Sequence, residues 1–477
     1  MSKIRVVFKN ISWLTISQVI NSVCAFFWTI VIANYLGVEK YGIISFATSF
    51  IGIAIIFIDF GMTTYVTREV ARDKKRLEEY VGLVIPVKII LSISVFFLST
   101  LILFFCGCTK TTILITMIYL FEMVLISFTQ FINGIFQAYE DLKYQAIGCL
   151  INCTLLIIFV LLVILLNLGI FAIAISYVIG YSGFFCFMAV KYLQKFELPK
   201  LQMNFRKALR TIKNALPFGL TTLFNTIYFG VNTVMLSGMK GDYETGIYKA
   251  VMNVILVFTT LFSVYQLVLF PVMSRFFVNQ KELIWKSYEK SVKYLLAVAL
   301  PMCAGIFIYA KQVILLIYNH SYTDAILPLK ISIWTVVMLF LNGVTMLVLN
   351  AIDMEKRVTT IYLIGAGVNA LLNYWLIPRY SYNGSAIATL ISVSLIFLIL
   401  LIQILNTEFG PKSDFMIHGI KLITAAGVMF IILWGLKLPL WAGIIVGAFV
   451  YGGMVITLRV IDDTDRYILK HMIHKEK

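Results

Sequence analysis

The sequence predicts an all-α polytopic membrane protein with about 14 transmembrane helices. Residues 11–459 are almost continuously apolar and are interrupted by short polar loops about every 20 to 25 residues. The composition is 61% hydrophobic and 13% charged, with a mean hydropathy of +0.93, whereas a soluble domain contains about 25% charged residues. Segments of this length are too long for the ~10-residue strands of a membrane barrel, so they favour helices.

Each predicted helix is an apolar segment long enough to cross the hydrocarbon core, which takes ~20 residues. In chain order the segments are 11–35, 43–66, 82–105, 113–137, 146–166, 170–190, 214–237, 246–273, 291–310, 325–349, 358–377, 384–406, 414–434 and 438–458. The first follows three basic residues, as a secretion signal does, but it carries Gln18 and Asn21 and lacks a small-residue cleavage site. We therefore predict that it stays in the protein as helix one.

Lysine and arginine indicate the orientation, because basic loops resist translocation. With the N-terminus inside, the inner loops and termini carry 29 of these residues and the outer loops carry 6. The sequence therefore predicts a multi-pass protein of the cytoplasmic (plasma) membrane with both termini in the cytoplasm. This asymmetry and attraction to anionic lipid headgroups explain the net charge of +16, so the charge does not indicate nucleic-acid binding.

Short matching segments recur in the same order at similar offsets, which indicates a six-helix unit used twice. The matches are Gly37–Gly42 with Gly241–Gly246 at an offset of 204, Gln137–Lys143 with Asn350–Lys356 at 213, and Ala172–Ala174 with Ala386–Ala388 at 214. Because six is even, both copies share one orientation, and a pseudo-two-fold axis along the membrane normal relates them.

The repeat predicts the domain organisation. It comprises an N-terminal six-helix lobe at 1–192, a basic cytoplasmic connection at 193–213, a C-terminal six-helix lobe at 214–407, appended helices 13 and 14 at 408–459, and a cytoplasmic tail at 460–477.

Five motifs carry a resemblance to a known family. They are the loop Gly37–Gly42, Asp59-Phe60-Gly61 followed by Arg68-Glu69, the Gln137–Lys143 turn, Phe270-Pro271 with Arg275, and Tyr382–Thr389. With these motifs the chain resembles, over essentially its whole length, the polysaccharide or O-antigen repeat-unit flippases of the multidrug/oligosaccharidyl-lipid/polysaccharide exporter superfamily. The resemblance implies that the protein moves a polyprenyl-diphosphate-linked oligosaccharide from the cytoplasmic to the outer leaflet by alternating access. It also implies membrane lipids, a polysaccharide polymerase and other export machinery as partners.

The predicted fourth helix has a polar face. Its residues follow one another at three- and four-residue steps, so they share one side of the helix; they are Glu122, Ile126, Gln130, Asn133 and Gln137. Exposing this face to lipid would be costly, so it is expected to point into the lobe. It either lines a cavity that binds substrate or forms hydrogen bonds to other helices.

Two other helices repeat this pattern more weakly. Gln18 and Asn21 lie on helix one, and Asn225 and Tyr228 lie on helix seven. These four residues are further candidates for substrate binding, with interhelical hydrogen bonding as the alternative.

Basic side chains are the candidates for binding a diphosphate. Lys88, Lys249 and Lys330 lie within spans, where each can either snorkel to the interface or contact substrate. Arg68 and Arg275 lie at corresponding inner ends of helices two and eight. A guanidinium group binds two phosphate oxygens at once, so this pair is either a diphosphate site at the cytoplasmic mouth or an ordinary topological anchor.

Two acidic residues are candidates for ion coupling. Glu122 is the deepest acid, and a carboxylate there is expected to be protonated or paired, which can couple transport to a proton or Na⁺ gradient. Asp59, beside Gly61, is expected to pair with a nearby arginine as a structural hinge. No catalytic residue, metal site or cofactor is predicted, and we interpret the seven cysteines as small apolar filler.

Other functions fit the sequence less well. The chain has no Gly-x4-Gly-Lys-Ser/Thr loop and no soluble domain, which argues against ATP hydrolysis. A membrane polymerase or ligase needs a sizeable outer loop, and the longest predicted one is 310–324. An ion-coupled drug or cation antiporter of the same superfamily is the stronger alternative. Cationic drugs require acidic cavity groups, however, and this chain has one deep acid and several candidate basic groups.

Overall fold

The computed structural model of the chain describes residues 3–197, 201, 204–279, 282–352, 354–407 and 414–460. These residues form helices and contain no β-strand. The α-helices are α1 (Lys3–Leu36), α2 (Val38–Ala54), α3 (Ile56–Asp59), α4 (Met62–Arg72), α5 (Leu77–Phe105), α6 (Lys110–Ala138), α7 (Lys143–Leu165), α8 (Gly169–Lys195), α9 (Phe205–Lys240), α10 (Asp242–Asn279), α11 (Glu282–Ile308), α12 (Ala310–Ile317), α13 (Ile326–Ser332), α14 (Trp334–Ala351), α15 (Glu355–Leu405), α16 (Asp414–Leu436) and α17 (Leu440–Thr457). Short 3-10 helices lie at Lys74–Arg76 and His320–Ala325.

The fold class predicted from hydropathy is confirmed. Every predicted span is mostly helical, and 10 helices of the described part are long and apolar enough to cross a membrane. Hydropathy locates such helices well because the bilayer offers no other partner for backbone amides.

The second predicted span, 43–66, is interrupted rather than continuous. α3 ends at Asp59, Phe60 and Gly61 follow with left-handed φ values of 44° and 79°, and α4 begins at Met62. The loop predicted between spans 358–377 and 384–406 is also shorter than expected. There α15 departs from helical geometry at Ser381, whose φ is 50°.

The described chain falls into two compact units. The first comprises the residues up to Asn253 together with Ala366–Ser385, and the second comprises Val254–Gly365 and the residues from Ala386 onwards. The first unit therefore holds α1–α9, the start of α10 and the middle of α15. The second holds α11–α14, α16, α17 and the remainder of α10 and α15. The lobe boundaries at 192 and 214 stay a prediction.

In the first unit the N-terminal turns of α2 and α10 meet backbone to backbone. Gly37 and Gly241, which correspond in the predicted repeat, precede these helices with φ values of 76° and 111°. A Cβ atom on Gly42 would collide with the carbonyl oxygen of Asp242, and one on Gly246 would collide with the backbone of α2. Only glycine permits this approach, so the repeated glycine spacing lets the two helices cross closely.

A second backbone contact lies at the break between α3 and α4. A Cβ atom on Gly219 of α9 would lie 2.6 Å from the carbonyl carbon of Phe60, and one on Gly61 would overlap the backbone of Gly219. Together with the Gly42 crossing, this contact packs the α2–α4 segment tightly on α9 and α10 at both of its ends.

The orientation predicted from basic residues can be tested by cysteine accessibility. In a variant lacking the seven native cysteines, single cysteines replacing Lys40 and Lys240 are expected to react with a membrane-impermeant maleimide added to intact cells. Cysteines replacing Lys75 and Lys200 are expected to react only after permeabilisation, because the basic loops stay inside. Labelling of position 200 in intact cells would contradict the orientation.

Candidate functional site

Carboxamide side chains surround a cavity in the first unit. Four helices, α1, α6, α7 and α8, enclose a volume of about 340 Å³. The carboxamides lining it are Asn21, Gln130, Asn133, Gln145 and Asn152. None of the described lining residues is charged. We call this space the amide cavity.

Aromatic and small side chains complete the lining of the amide cavity. Tyr181 and Phe184 of α8 form part of the wall, with ring centroids 6.4 Å apart and planes 25° from parallel. Ile126, Thr129 and Cys149 contribute the rest. The cavity therefore offers hydrogen-bonding amides together with an aromatic surface.

Glycines on α7 and α8 bring these walls together. A Cβ atom on Gly180 would lie 2.6 Å from the side-chain oxygen of Asn152, and one on Gly148 would overlap the ring of Phe184. Small residues let membrane helices approach closely, since van der Waals packing drives their association. The two glycines thus position Asn152 and Phe184 at the cavity.

The polar face predicted on the fourth helix partly lines this cavity. Ile126, Gln130 and Asn133 are lining residues, as is Asn21 of helix one. Gln137 lies one turn further along α6, where it is exposed and is not a lining residue. Whether these amides contact substrate stays a prediction.

Several lining residues were missed in the sequence. Gln145, Cys149 and Asn152 follow one another at helical spacing on α7, but that segment is so apolar that the pattern did not stand out. Tyr181 gave no signal at all, since a lone tyrosine in a span is unremarkable. The spacing on α7 could have identified the first three.

Glu122 is buried next to the amide cavity, one turn from Ile126 on α6. Its side chain is 3% exposed, and its Oε2 atom has no hydrogen-bond partner among the described residues. Tyr177 and Tyr181 lie near this carboxyl group, and the ring of Tyr119 lies 5.6 Å from that of Tyr177. Aromatic side chains therefore surround this acid, and no basic side chain of the described residues forms an ion pair with it.

A buried ion pair ties α5 to the helix break. The Lys88 ammonium lies 2.6 Å from Asp59 Oδ1 and donates to Thr63 Oγ1 at 3.3 Å and to the Ser127 carbonyl at 3.2 Å. It also lies 5.2 Å from the ring centroid of Phe131. The Lys88 side chain is 0% exposed.

One prediction about this pair was wrong, because the partner of Asp59 is Lys88 and not an arginine. Of the two alternatives for Lys88, snorkelling to the interface does not fit a side chain that is 0% exposed, and contact with substrate stays a prediction. The physical reason is that a membrane-embedded ammonium needs a counter-charge and acceptors. The α3–α4 break supplies them through Asp59 and Thr63, 29 and 25 residues away in the chain.

Arg68 lies on α4 and is engaged locally. Its guanidinium group pairs with Glu69 at 3.0 Å and lies over the rings of Tyr65 and Phe218 at 5.5 and 5.1 Å. The side chain is 43% exposed, so the group remains reachable from solvent.

The other candidate residues are not among the described lining residues of the amide cavity. Lys249 is half-buried on α10, and Lys330 of the second unit lies 5.4 Å from the ring centroid of Phe307. The side chains of Gln18, Asn225, Tyr228 and Arg275 lie outside the described residues, so the structure neither places them nor pairs Arg275 with Arg68. Among the described residues, no group of three His, Cys, Asp or Glu side chains is arranged to hold a metal ion.

An apolar groove of about 640 Å³ lies in the second unit between α11, α12, α16 and α17. Its lining includes Pro301, Met429, Leu433 and Trp441. Trp441 is 69% exposed, so the groove opens on the surface of the unit. We call it the apolar groove.

Two tyrosines, Tyr309 and Tyr451, are among the residues that line the apolar groove. Their hydroxyl groups are buried and have no hydrogen-bond partner among the described residues. Gly443 on α17 makes room for the Tyr309 ring, because a Cβ atom there would overlap it.

The sequence profile of the polysaccharide biosynthesis protein family matches residues 7–277, more than half of the chain. The chain belongs to this family. The match includes every residue of the amide cavity, Glu122 and the Asp59–Lys88 pair, so these features lie in the part of the chain that defines membership.

Two uncharacterized membrane proteins of Methanocaldococcus jannaschii are similar in sequence. MJ1375 is 21% identical over 422 residues, which cover 84% of this chain and 98% of that protein. MJ1068 is 26% identical over 168 residues, which cover 34% of this chain and 33% of that protein. The chain thus spans about a third of MJ1068 and nearly all of MJ1375.

Solved transporter structures share the fold. The lipid II flippase MurJ in an inward closed conformation superposes with a TM-score of 0.78 at 16% identity, covering 93% of this chain and 98% of MurJ. An inward-facing multidrug resistance MATE family transporter of the MOP superfamily gives 0.63 at 14% identity, covering 88% and 99%. A mutant of the Vibrio cholerae MATE transporter VcmN gives 0.57 at 15% identity, covering 85% and 98%. This family member is therefore a multi-pass membrane protein that shares its fold with MurJ and the MATE transporters.

Proposed function

We propose that this protein is a flippase that moves a polyprenyl-diphosphate-linked oligosaccharide across the cytoplasmic membrane by alternating access. The observation that carries the proposal is the amide cavity, a hydrogen-bonding space built inside membrane-spanning helices. Polar groups at that depth are costly unless they face a partner or a cavity. A hydroxyl-rich headgroup crossing the bilayer supplies such a partner.

The apolar groove supports a cargo with a long hydrocarbon tail. It is open on one side and lined by apolar side chains, so an isoprenoid chain can lie in it without leaving an apolar environment. A soluble sugar has no hydrocarbon chain to bind to this apolar surface. Membership of the polysaccharide biosynthesis protein family and the fold shared with a lipid II flippase agree with a lipid-linked cargo.

Glu122 and the basic residues complete the proposed mechanism. Glu122 takes up the coupling ion, a proton or Na⁺, because no basic residue in the described part of the chain pairs with its buried carboxyl group to fix its charge. Arg68, exposed on α4, meets the diphosphate at the cytoplasmic mouth, exchanging its contact with Glu69 for phosphate oxygens. The delivered repeat unit then passes to a polymerase and other export machinery in the outer leaflet.

Deleting the gene tests this proposal. Completed lipid-linked repeat units are expected to accumulate in the cytoplasmic leaflet, where an added glycosidase reaches them only in inverted vesicles and not in intact spheroplasts. Re-expression of the wild-type protein is the control and restores access from outside.

If the protein is instead an ion-coupled drug antiporter, the deletion should have a different outcome. If lipid-linked sugars reach the outer leaflet normally while the deletion strain becomes sensitive to cationic drugs, the flippase proposal is wrong. The uncharged lining of the amide cavity argues against that result, because cationic drugs need a carboxylate in the cavity.

A further inference from the structure

We infer that the amide cavity is a binding site for one uncharged sugar ring of the cargo and that the diphosphate stays outside it. This inference rests on the proposed function and makes it specific. It divides the recognition of the cargo into a neutral sugar site within α1, α6, α7 and α8 and a charge-based site elsewhere.

The hydrogen-bonding chemistry of the lining matches a sugar. Each of the five carboxamides presents both donors and an acceptor, and each sugar hydroxyl likewise donates one hydrogen bond and accepts others. Thr129 adds a hydroxyl group. Phosphate oxygens only accept hydrogen bonds, so they would leave the amide carbonyl groups unpaired.

The absence of charge among the described lining residues excludes ionic ligands in the same way. A diphosphate moved into this site would lose its hydration without meeting a cation among the described lining residues, and a cationic drug would meet no carboxylate among them. A neutral ligand has no such penalty.

One lining atom is unpaired among the residues that the structure describes. The side-chain oxygen of Asn133 is buried and has no hydrogen-bond partner among the described residues. Buried polar atoms normally have partners, and this one belongs to a cavity-lining side chain. A sugar hydroxyl in the cavity can donate to it.

The aromatic wall suits the apolar face of a sugar ring. Tyr181 and Phe184 lie nearly parallel, 25° apart, on one helix, and the C–H face of a pyranose packs on such rings. The volume of about 340 Å³ lies at the lower end of the ~300–1,000 Å³ typical of ligand sites. It accommodates one ring with its substituents rather than a whole oligosaccharide.

Binding of polyprenyl diphosphate lipids with and without a sugar to the full-length protein in nanodiscs tests the inference. The probes are polyprenyl diphosphate without sugar and the same lipid bearing a single glucose, galactose, mannose or N-acetylglucosamine. The wild type is expected to bind at least one sugar-bearing lipid about tenfold more tightly than the bare diphosphate lipid. This difference corresponds to one or two good hydrogen bonds that only the sugar makes.

Variants of the lining assign that preference to the amide cavity. Asn133→Leu and Asn152→Leu are expected to remove most of the tenfold preference without changing the affinity for the bare lipid. Because buried substitutions can impair folding, Gln130→Leu provides a second test, since Gln130 is exposed and its replacement leaves the packing intact. Gln194→Leu, an exposed amide of α8 outside the lining, is the matched control and keeps the full preference.

The outcomes separate this inference from the proposed function. If the wild type binds all the lipids equally, or if the lining variants keep the preference, the sugar site is wrong while a lipid-diphosphate flippase remains. If the wild type binds none of the lipids, the proposed function itself fails.

Discussion

Replacing Lys88 with methionine is expected to destabilise the protein by about 3–5 kcal/mol, the usual effect of removing one partner from a buried ion pair. The substitution leaves the Asp59 carboxylate, which is 22% exposed, without the ammonium that lies 2.6 Å away. Asp59→Asn is expected to be similarly harmful, because it leaves the fully buried lysine unpaired. Fluorescence-detected thermal denaturation in detergent measures both effects.

The double variant Asp59→Asn with Lys88→Met provides the decisive comparison. It removes both charges, so its stability is expected to return most of the way to that of the wild type. Lys75→Met is the matched control, since Lys75 is exposed on a loop and its loss should change stability little. A double variant no more stable than either single variant would show that the two charges act independently.

The pair also bears on transport. It anchors the Phe60-Gly61 break to α5, and that break makes the close backbone contact with Gly219 of α9. A double variant that is stable but inactive would indicate that the charges contribute to movement of these helices as well as to their packing.

Changing Glu122 to glutamine is expected to abolish the acceleration of transport by an ion gradient. The rate of translocation in the presence of the gradient should fall on the order of tenfold. Glutamine has nearly the same shape as a protonated glutamic acid but cannot release a proton, so the variant stays in one charge state. In proteoliposomes, wild-type translocation of a lipid-linked sugar should accelerate when a proton or Na⁺ gradient is imposed. The variant should translocate at the same low rate with or without it.

Glu355→Gln serves as the control for this experiment, because Glu355 is exposed at the start of α15 and is expected to retain full coupling. In cells, Glu122→Gln should reproduce the trapping of repeat units in the cytoplasmic leaflet. Gradient-driven transport that survives in Glu122→Gln would assign the coupling to another group.

The helical architecture could be predicted from the sequence because lipid leaves little choice. A backbone that crosses hydrocarbon must satisfy its own hydrogen bonds, so the apolar segments predicted where the long apolar helices of the described chain lie. The polar face of α6 was predictable for a related reason. Its amides recur at helical spacing in an otherwise apolar segment, so the sequence alone places Gln130 and Asn133 on one side of the helix, and both line the amide cavity.

The pairing of side chains between helices could not be predicted in this way. Lys88 pairs with Asp59, and Gln145 and Asn152 line the same cavity as Asn133, only because each helix is rotated by its packing against its neighbours. That rotation depends on close contacts such as those at Gly148 and Gly180. Hydropathy therefore determined which segments of this protein lie in the membrane. Tertiary packing decided which polar groups meet there, because a membrane helix can turn about its own axis without changing how well it spans the bilayer.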